Sequence, residues 1–162
     1  MRKLSNTLPD KVSKGNISVP ARLRILDTTQ PHAVLATDSG GQPYTSLIAY
    51  ALTPDMKEVI FTTPKSTRKY RNILKNKHVS FLIDTRTNTA EDYMVAESVT
   101  ILGNALPMRK GKKWLELKGI FLKKHPGLAE FVHSPETALI LVEIIKCIHV
   151  TRFQSVSEWT AK

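Results

Sequence analysis

The chain has 162 residues, 41% hydrophobic and 23% charged, enough for one domain with its own core. Its 24 Lys and Arg against 14 Asp and Glu leave a net charge of +10, which favours anionic partners: nucleic acid, an acidic membrane surface or phosphorylated small molecules. The single cysteine, Cys147, excludes an intrachain disulfide, and the longest apolar run, Ala138–Val150, is too short for a membrane span and carries Glu143 and Lys146.

Residues 1–16 lack periodicity and have no apolar stretch of the kind a secretory signal needs, so a mobile arm and a reducing, cytoplasmic setting are expected. From residue 17 onward one domain is expected. Pro20 with Leu23, Ile25 and Leu26 indicates a short helix. Ala33–Thr37 reads as a strand, Asp38-Ser39-Gly40-Gly41-Gln42 as a tight turn, and Pro43–Leu52 as the returning strand of a hairpin. Thr53-Pro54-Asp55 turns the chain into a third strand, Glu58–Thr63. A helix over Thr67–Asn76 follows, with Tyr70, Ile73 and Leu74 at core spacing, then a fourth strand, His78–Asp84.

Thr85–Asp92 is polar and loop-like. Ser98–Leu106 is a fifth strand, with Gly103 suited to a bulge or a close backbone approach. Met108–Lys124 has helical spacing in Trp114, Leu117 and Phe121 and is stopped by Pro126, and Leu128–Val132 adds a turn. Thr137–Gln154 is a long last strand, where Cys147 is expected as a buried, inert thiol. The sum is a mainly β chain: a six-stranded antiparallel barrel, which removes exposed sheet edges, with peripheral helices.

Thr62 to Lys69 carries the most chemistry. Arg68 and Lys69 fall in the first turn of a helix, where the dipole and the free N–H groups are positive. Two cations there raise the local energy unless an anion sits among them. With the Ser66 hydroxyl they make a phosphate cradle. A solvated basic helix start is the plain alternative. The strand start Pro43-Tyr44-Thr45-Ser46-Leu47-Ile48 offers small polar side chains and free backbone groups that could hold a planar polar ring, or is an ordinary amphipathic strand. The basic stretch Arg109–Lys124 reads better as an aromatic stripe on the core with solvated lysines than as a nucleic-acid face. The five histidines have no metal-site spacing, so no metal is expected, and no Walker loop, serine elbow or dinucleotide fingerprint is present.

Taken in order, Ala33–Thr37, Gly41–Ser46, Ile60–Thr63, Ser66–Lys69, Asn72-Ile73, Val79–Asp84 and Val99–Ala105 resemble the pyridoxamine 5′-phosphate oxidase-like family, the FMN-binding split β-barrel. The likeness covers roughly residues 20–107 well and the last third mainly in layout. It implies a homodimer with FMN at the subunit interface. Arg68 and Lys69 would be phosphate ligands helped by Ser66. Thr62 and Thr63 would be third-strand contacts to the flavin, and Ser46, Leu47 and Ile48 second-strand contacts, partly through backbone. The chain departs from the oxidases themselves at Ser46, where they carry Arg, and at Tyr50-Ala51-Leu52, where no cation stands. It departs again at Ser98 in place of Gln and at the ending Arg152–Val156. The expectation is therefore an FMN-dependent oxidoreductase whose substrate is not pyridoxamine phosphate, with no catalytic side chain assigned. Rival readings are an FMN electron carrier, a deazaflavin- or haem-binding relative and, more weakly, a nucleic-acid-binding module.

Overall fold

The structure, a computed structural model, describes residues 17–151 and 155–162. The expected arm, residues 1–16, lies outside these, as do Arg152, Phe153 and Gln154.

Helix α1, Val19–Thr29, starts where Ser18 accepts a hydrogen bond from the Ala21 N–H and Pro20 stands in the first turn. It buries Val19, Leu23 and Leu26, while Ile25 faces outward. Strands β1, His32–Asp38, and β2, Pro43–Leu52, form the expected hairpin. Gly40 and Gly41 hold φ of +80° and +83° in its turn, a region that costs other residues strain. Asp55 accepts from the Thr53 hydroxyl and the Lys57 N–H to shape the turn into β3, Glu58–Pro64. Next come α2, Arg68–Lys75, β4, His78–Asp84, and a short helix α3, Asp92–Val95, which begins at the last residue of the segment expected to be loop.

Strand β5, Glu97–Pro107, leads to α4, Lys112–Lys124. This helix begins four residues later than its apolar spacing suggests, because the Met108 N–H still bonds the Leu139 carbonyl of the sheet. A turn at Pro126–Leu128 and α5, Ala129–His133, precede β6, Thr137–Thr151. A further strand, β7, Ser155–Thr160, pairs only with β6 and was not expected.

The strands pair antiparallel in the order β3-β2-β1-β4-β5-β6-β7. Strand β3 pairs with β6 as well, from Glu58↔Glu143 to Pro64↔Thr137. The first six strands therefore close into a barrel, with β7 attached outside. Alternation sends Leu35, Tyr50, Phe61, Phe81, Ile83 and Ile101 inward, all fully buried, and Phe61 meets Phe81 edge-on at 5.9 Å. Each such side chain contributes about 1.5–3 kcal/mol of burial. A second cluster seats Trp114, Leu117 and Phe121 of α4 on Ala51, Ile60 and Leu139, on the outer face of β2, β3 and β6.

Candidate functional site

The closed barrel has one seam that is barely stitched. Strands β2 and β3 pair only at Tyr50↔Phe61, Ala51↔Ile60 and Leu52↔Val59. Residues 43–49 of β2 have ladder partners only on the β1 side, and Thr62, Thr63 and Pro64 only on the β6 side. Along this gap, backbone groups that a sheet would use face no strand, and such groups need partners.

Helix α2 holds the gap open. Asn72, buried on α2, donates through Nδ2 to the Thr37 hydroxyl of β1 at 3.0 Å. The buried Thr63 hydroxyl of β3 meets the Thr67 hydroxyl at 2.9 Å. Thr67 is the N-cap of α2. The helix thus ties together the two strands that flank β2 in the sheet, and its N-terminus stands at the mouth of the gap.

Arg68 and Lys69 occupy the first turn, as expected, with no acidic residue there. Neither makes an ion pair with any described residue. The Arg68 guanidinium lies 5.2 Å over the Tyr44 ring. Tyr44 and Ser46 are two apart on β2 and share a face, so this contact places the cation one step from Ser46. Lys69 is half-buried, and desolvation holds its ammonium below the ordinary lysine value. Arg71 donates to the Ser66 carbonyl at 2.6 Å and fixes the loop carrying Ser66.

The eight expected site residues therefore border one gap, although their side chains are not equally free. Ser46 is half-buried and its hydroxyl is buried with no hydrogen-bond partner among the described residues. Leu47 points outward and is 68% exposed. Ile48 is a core side chain, so only its backbone faces the gap. Thr62 is half-buried on the outer face, and the Thr63 hydroxyl is engaged by Thr67. Ser66 is exposed. Three contributors were missed: Tyr44, Thr67 and Arg71. Tyr44 carried a signal, its i−2 position to Ser46. The role of Thr67 could have been read from its place before a helical run.

Several polar groups elsewhere are engaged within the fold. The carboxylate of Glu97, 6% exposed, takes hydrogen bonds from Arg22 and from His149 at 2.8 Å. His125 Nε2 meets the Tyr50 carbonyl at 2.7 Å, and Lys124 pairs with Asp27 at 2.9 Å. Burial pushes the Cys147 thiol up to about 12, which makes it a poor nucleophile. The aromatic stripe of α4 is buried, with Lys110 and Lys118 over the Trp114 ring at 5.7 and 5.1 Å, so it offers no platform for bases. Among the described residues no helix is long and apolar enough to cross a membrane.

A sequence model of a known family, described as pyridoxamine 5′-phosphate oxidase, matches residues 22–150. The chain belongs to that family. Solved structures agree on the fold. A haem-binding protein of Mycobacterium smegmatis superposes with a TM-score of 0.79 at 15% identity, over 90% of this chain and 59% of that one. This family member thus spans about three-fifths of that relative's length. A FAD-binding protein of Mesorhizobium loti gives 0.65 at 15% identity, over 79% and 89% of the two chains. A haem storage protein of Vibrio cholerae gives 0.67 at 15%, over 76% and 87%. No match is found among curated protein sequences.

The residues present fit a flavin mononucleotide. The donor set at the α2 N-terminus suits a phosphate dianion, the Ser46 hydroxyl lacks a partner, and the unpaired strand edges match a flat ring with alternating donors and acceptors.

Proposed function

We propose that this chain binds FMN in the gap between β2 and β3 and acts as an FMN-dependent oxidoreductase on a substrate other than pyridoxamine phosphate. One observation carries the reading: two cations with no counter-ion among the described residues stand in the first turn of α2, at the mouth of a strand seam that is paired at one end only. Arg68, Lys69 and Ser66 hold the phosphate. Restoring an anion beside Lys69 also relieves the cost of its partial desolvation. The Ser46 hydroxyl and the backbone of Leu47, Ile48, Thr62 and Thr63 fix the ring edge and keep water from it. Bound there, the flavin would supply hydride or electron transfer, and the protein orients it. A homodimer completes the site in this reading, covering the exposed Leu47 side chain with a second copy.

Haem is the second reading. It is favoured by His32, an exposed imidazole lining the same cleft as Leu47, and by the two relatives whose names carry haem. Haem propionates would use the same two cations. A carrier role without organic substrate uses the same site and differs only in lacking turnover.

Equilibrium titration with FMN and with riboflavin tests the cradle, because the two ligands differ only in the phosphate. FMN should bind at least about a hundredfold tighter, and Arg68→Ala with Lys69→Ala should erase the difference, each charge-assisted contact being worth about 1.5–3 kcal/mol. A double variant that folds normally and keeps the wild-type preference for FMN would sink the reading.

A further inference from the structure

A ring, not an acid, places the Arg68 side chain. Arg68 is exposed in the first turn of α2, where the free N–H groups and the helix dipole repel a cation. With nothing to hold it, such a side chain turns away into solvent. Here its guanidinium carbon lies 5.2 Å from the centroid of the half-buried Tyr44 ring. A ring face attracts a guanidinium without consuming its N–H donors, whereas a carboxylate occupies them. The donors of Arg68 therefore stay open to an anion.

The ring is itself held by the fold. Tyr44 stands opposite Thr37 in the β1–β2 register, on the face of β2 that carries Ile48 and Tyr50 into the core. Thr37 is buried and its hydroxyl accepts from Asn72 of α2 at 3.0 Å. Arg68 and Asn72 stand at i and i+4, so they share a face of α2. Two rungs thus join the helix to the β1–β2 hairpin: Asn72 on Thr37 and, one turn nearer the N-cap, Arg68 on Tyr44. The buried rung fixes the spacing of helix and hairpin, and the outer rung inherits it. Lys69, adjacent in the chain, points in another direction and is independent of the ring.

We infer that Tyr44 is a positioning residue of the cradle: its ring holds the Arg68 guanidinium at the β2 side of the gap before a phosphate arrives, and so raises the affinity for a phosphorylated ligand over its unphosphorylated form. The inference rests on the reading of the gap as an FMN site and adds a residue that acts through Arg68. The physical basis is preorganisation. A guanidinium already restrained by a ring loses less side-chain freedom when an anion fixes it than one that samples solvent. The aromatic face does this work, and the Tyr44 hydroxyl is not needed for it. The same strand column continues to Ser46, so one stretch of β2 serves both the phosphate end and the ring end of the site.

The test titrates FMN and riboflavin into the full chain and into two variants. Tyr44→Leu removes the ring and should weaken FMN about threefold to fivefold while leaving riboflavin unchanged. Tyr44→Phe keeps the ring and should stay within about twofold of the wild type for both ligands. In an Arg68→Ala background, Tyr44→Leu should change FMN affinity by less than about 1.5-fold, because the ring then has no guanidinium to hold. Nuclear Overhauser contacts between the Arg68 δ protons and the Tyr44 ring protons should be present in the wild-type protein without ligand, a readout that needs no variant. Their absence overturns the inference. So does an equal loss of FMN and riboflavin in Tyr44→Leu, an unchanged ratio of the two, or the same loss of FMN with Arg68 already removed. A wild-type protein with no preference for FMN overturns the cradle and this inference with it. A wild-type preference that Tyr44→Leu leaves intact overturns the inference alone.

Discussion

Two seams of one barrel behave in opposite ways. Strands β5 and β6 pair without a break in partnership from Glu97↔Thr151 to Pro107↔Ile140, absorbing one bulge, whereas β2 and β3 hold together only beside Tyr50, Ala51 and Leu52. The first seam satisfies its own backbone and buries Val99, Ile101, Ile144 and Cys147. The second leaves strand edges without a ladder, a serine hydroxyl without a hydrogen bond and two cations without an ion pair among the described residues. A stable fold can carry such an open seam because closure is secured elsewhere, through β3–β6 and through α2. The energetic consequence is a division of labour: substitutions at the closed seam should act on stability, and substitutions at the open seam on ligand affinity.

The largest effect is expected at the closed seam. Gly103→Val forces a side chain into the Glu143 carbonyl and the Val142 methyl, and should cost about 3 kcal/mol in urea denaturation. A loss below about 0.5 kcal/mol would mean that the bulge relaxes freely. At the hinge between the seams, Thr67→Ala removes the α2 N-cap and leaves the buried Thr63 hydroxyl only its long bond to the Pro64 carbonyl, and about 1–2 kcal/mol should be lost. FMN affinity should fall with it, because the cradle loses its anchor.

A smaller effect is expected with pH. Burial holds His125 and His149 below the ordinary imidazole value of 6.5, and neighbouring cations, Lys124 and Arg22, act in the same direction. As pH falls through that value the unfolded chain takes up protons before the folded one does, so stability present above pH 6.5 is lost below it. The denaturation midpoint should therefore drop between about pH 7.5 and about pH 5.5, and His125→Gln with His149→Gln should flatten the slope. An unchanged slope in that double variant would place the pH dependence elsewhere. The smallest effect on stability is expected at the open seam. Ser46→Ala deletes a hydroxyl with no partner among the described residues and should alter stability by less than about 0.5 kcal/mol, while weakening FMN binding about three- to tenfold. Destabilisation without loss of affinity would reverse the assignment of the two seams.

Much of this was legible in the sequence because it rests on local chemistry. The Asp38–Gln42 turn, the cations at Arg68 and Lys69, the bulge glycine at 103 and the helical stripe of Trp114, Leu117 and Phe121 each announce themselves within a few residues. What was not legible depends on pairing at a distance. The β2–β3 gap cannot be read from two strands that both look complete. It arises because α2 ties Thr63 and Thr37 across the barrel. Strand β7 escaped because its edge position leaves Ser155–Thr160 half-buried and polar, without the apolar alternation of an inner strand. Helix α3 escaped because Tyr93, Met94 and Val95 are exposed and show no buried face. Ile48 and Thr63 show the limit at the site itself, since the resemblance implied them as strand contacts to a flavin but could not tell which side chains the core and the α2 cap had already claimed.

The most direct test is the visible absorption spectrum of the purified protein, taken before and after addition of FMN and desalting. Retained flavin bands, lost in the Arg68→Ala, Lys69→Ala protein, are the predicted result. A protein that stays colourless after reconstitution, or that takes up haem with a Soret band in place of flavin, would contradict the assignment of the open seam to FMN.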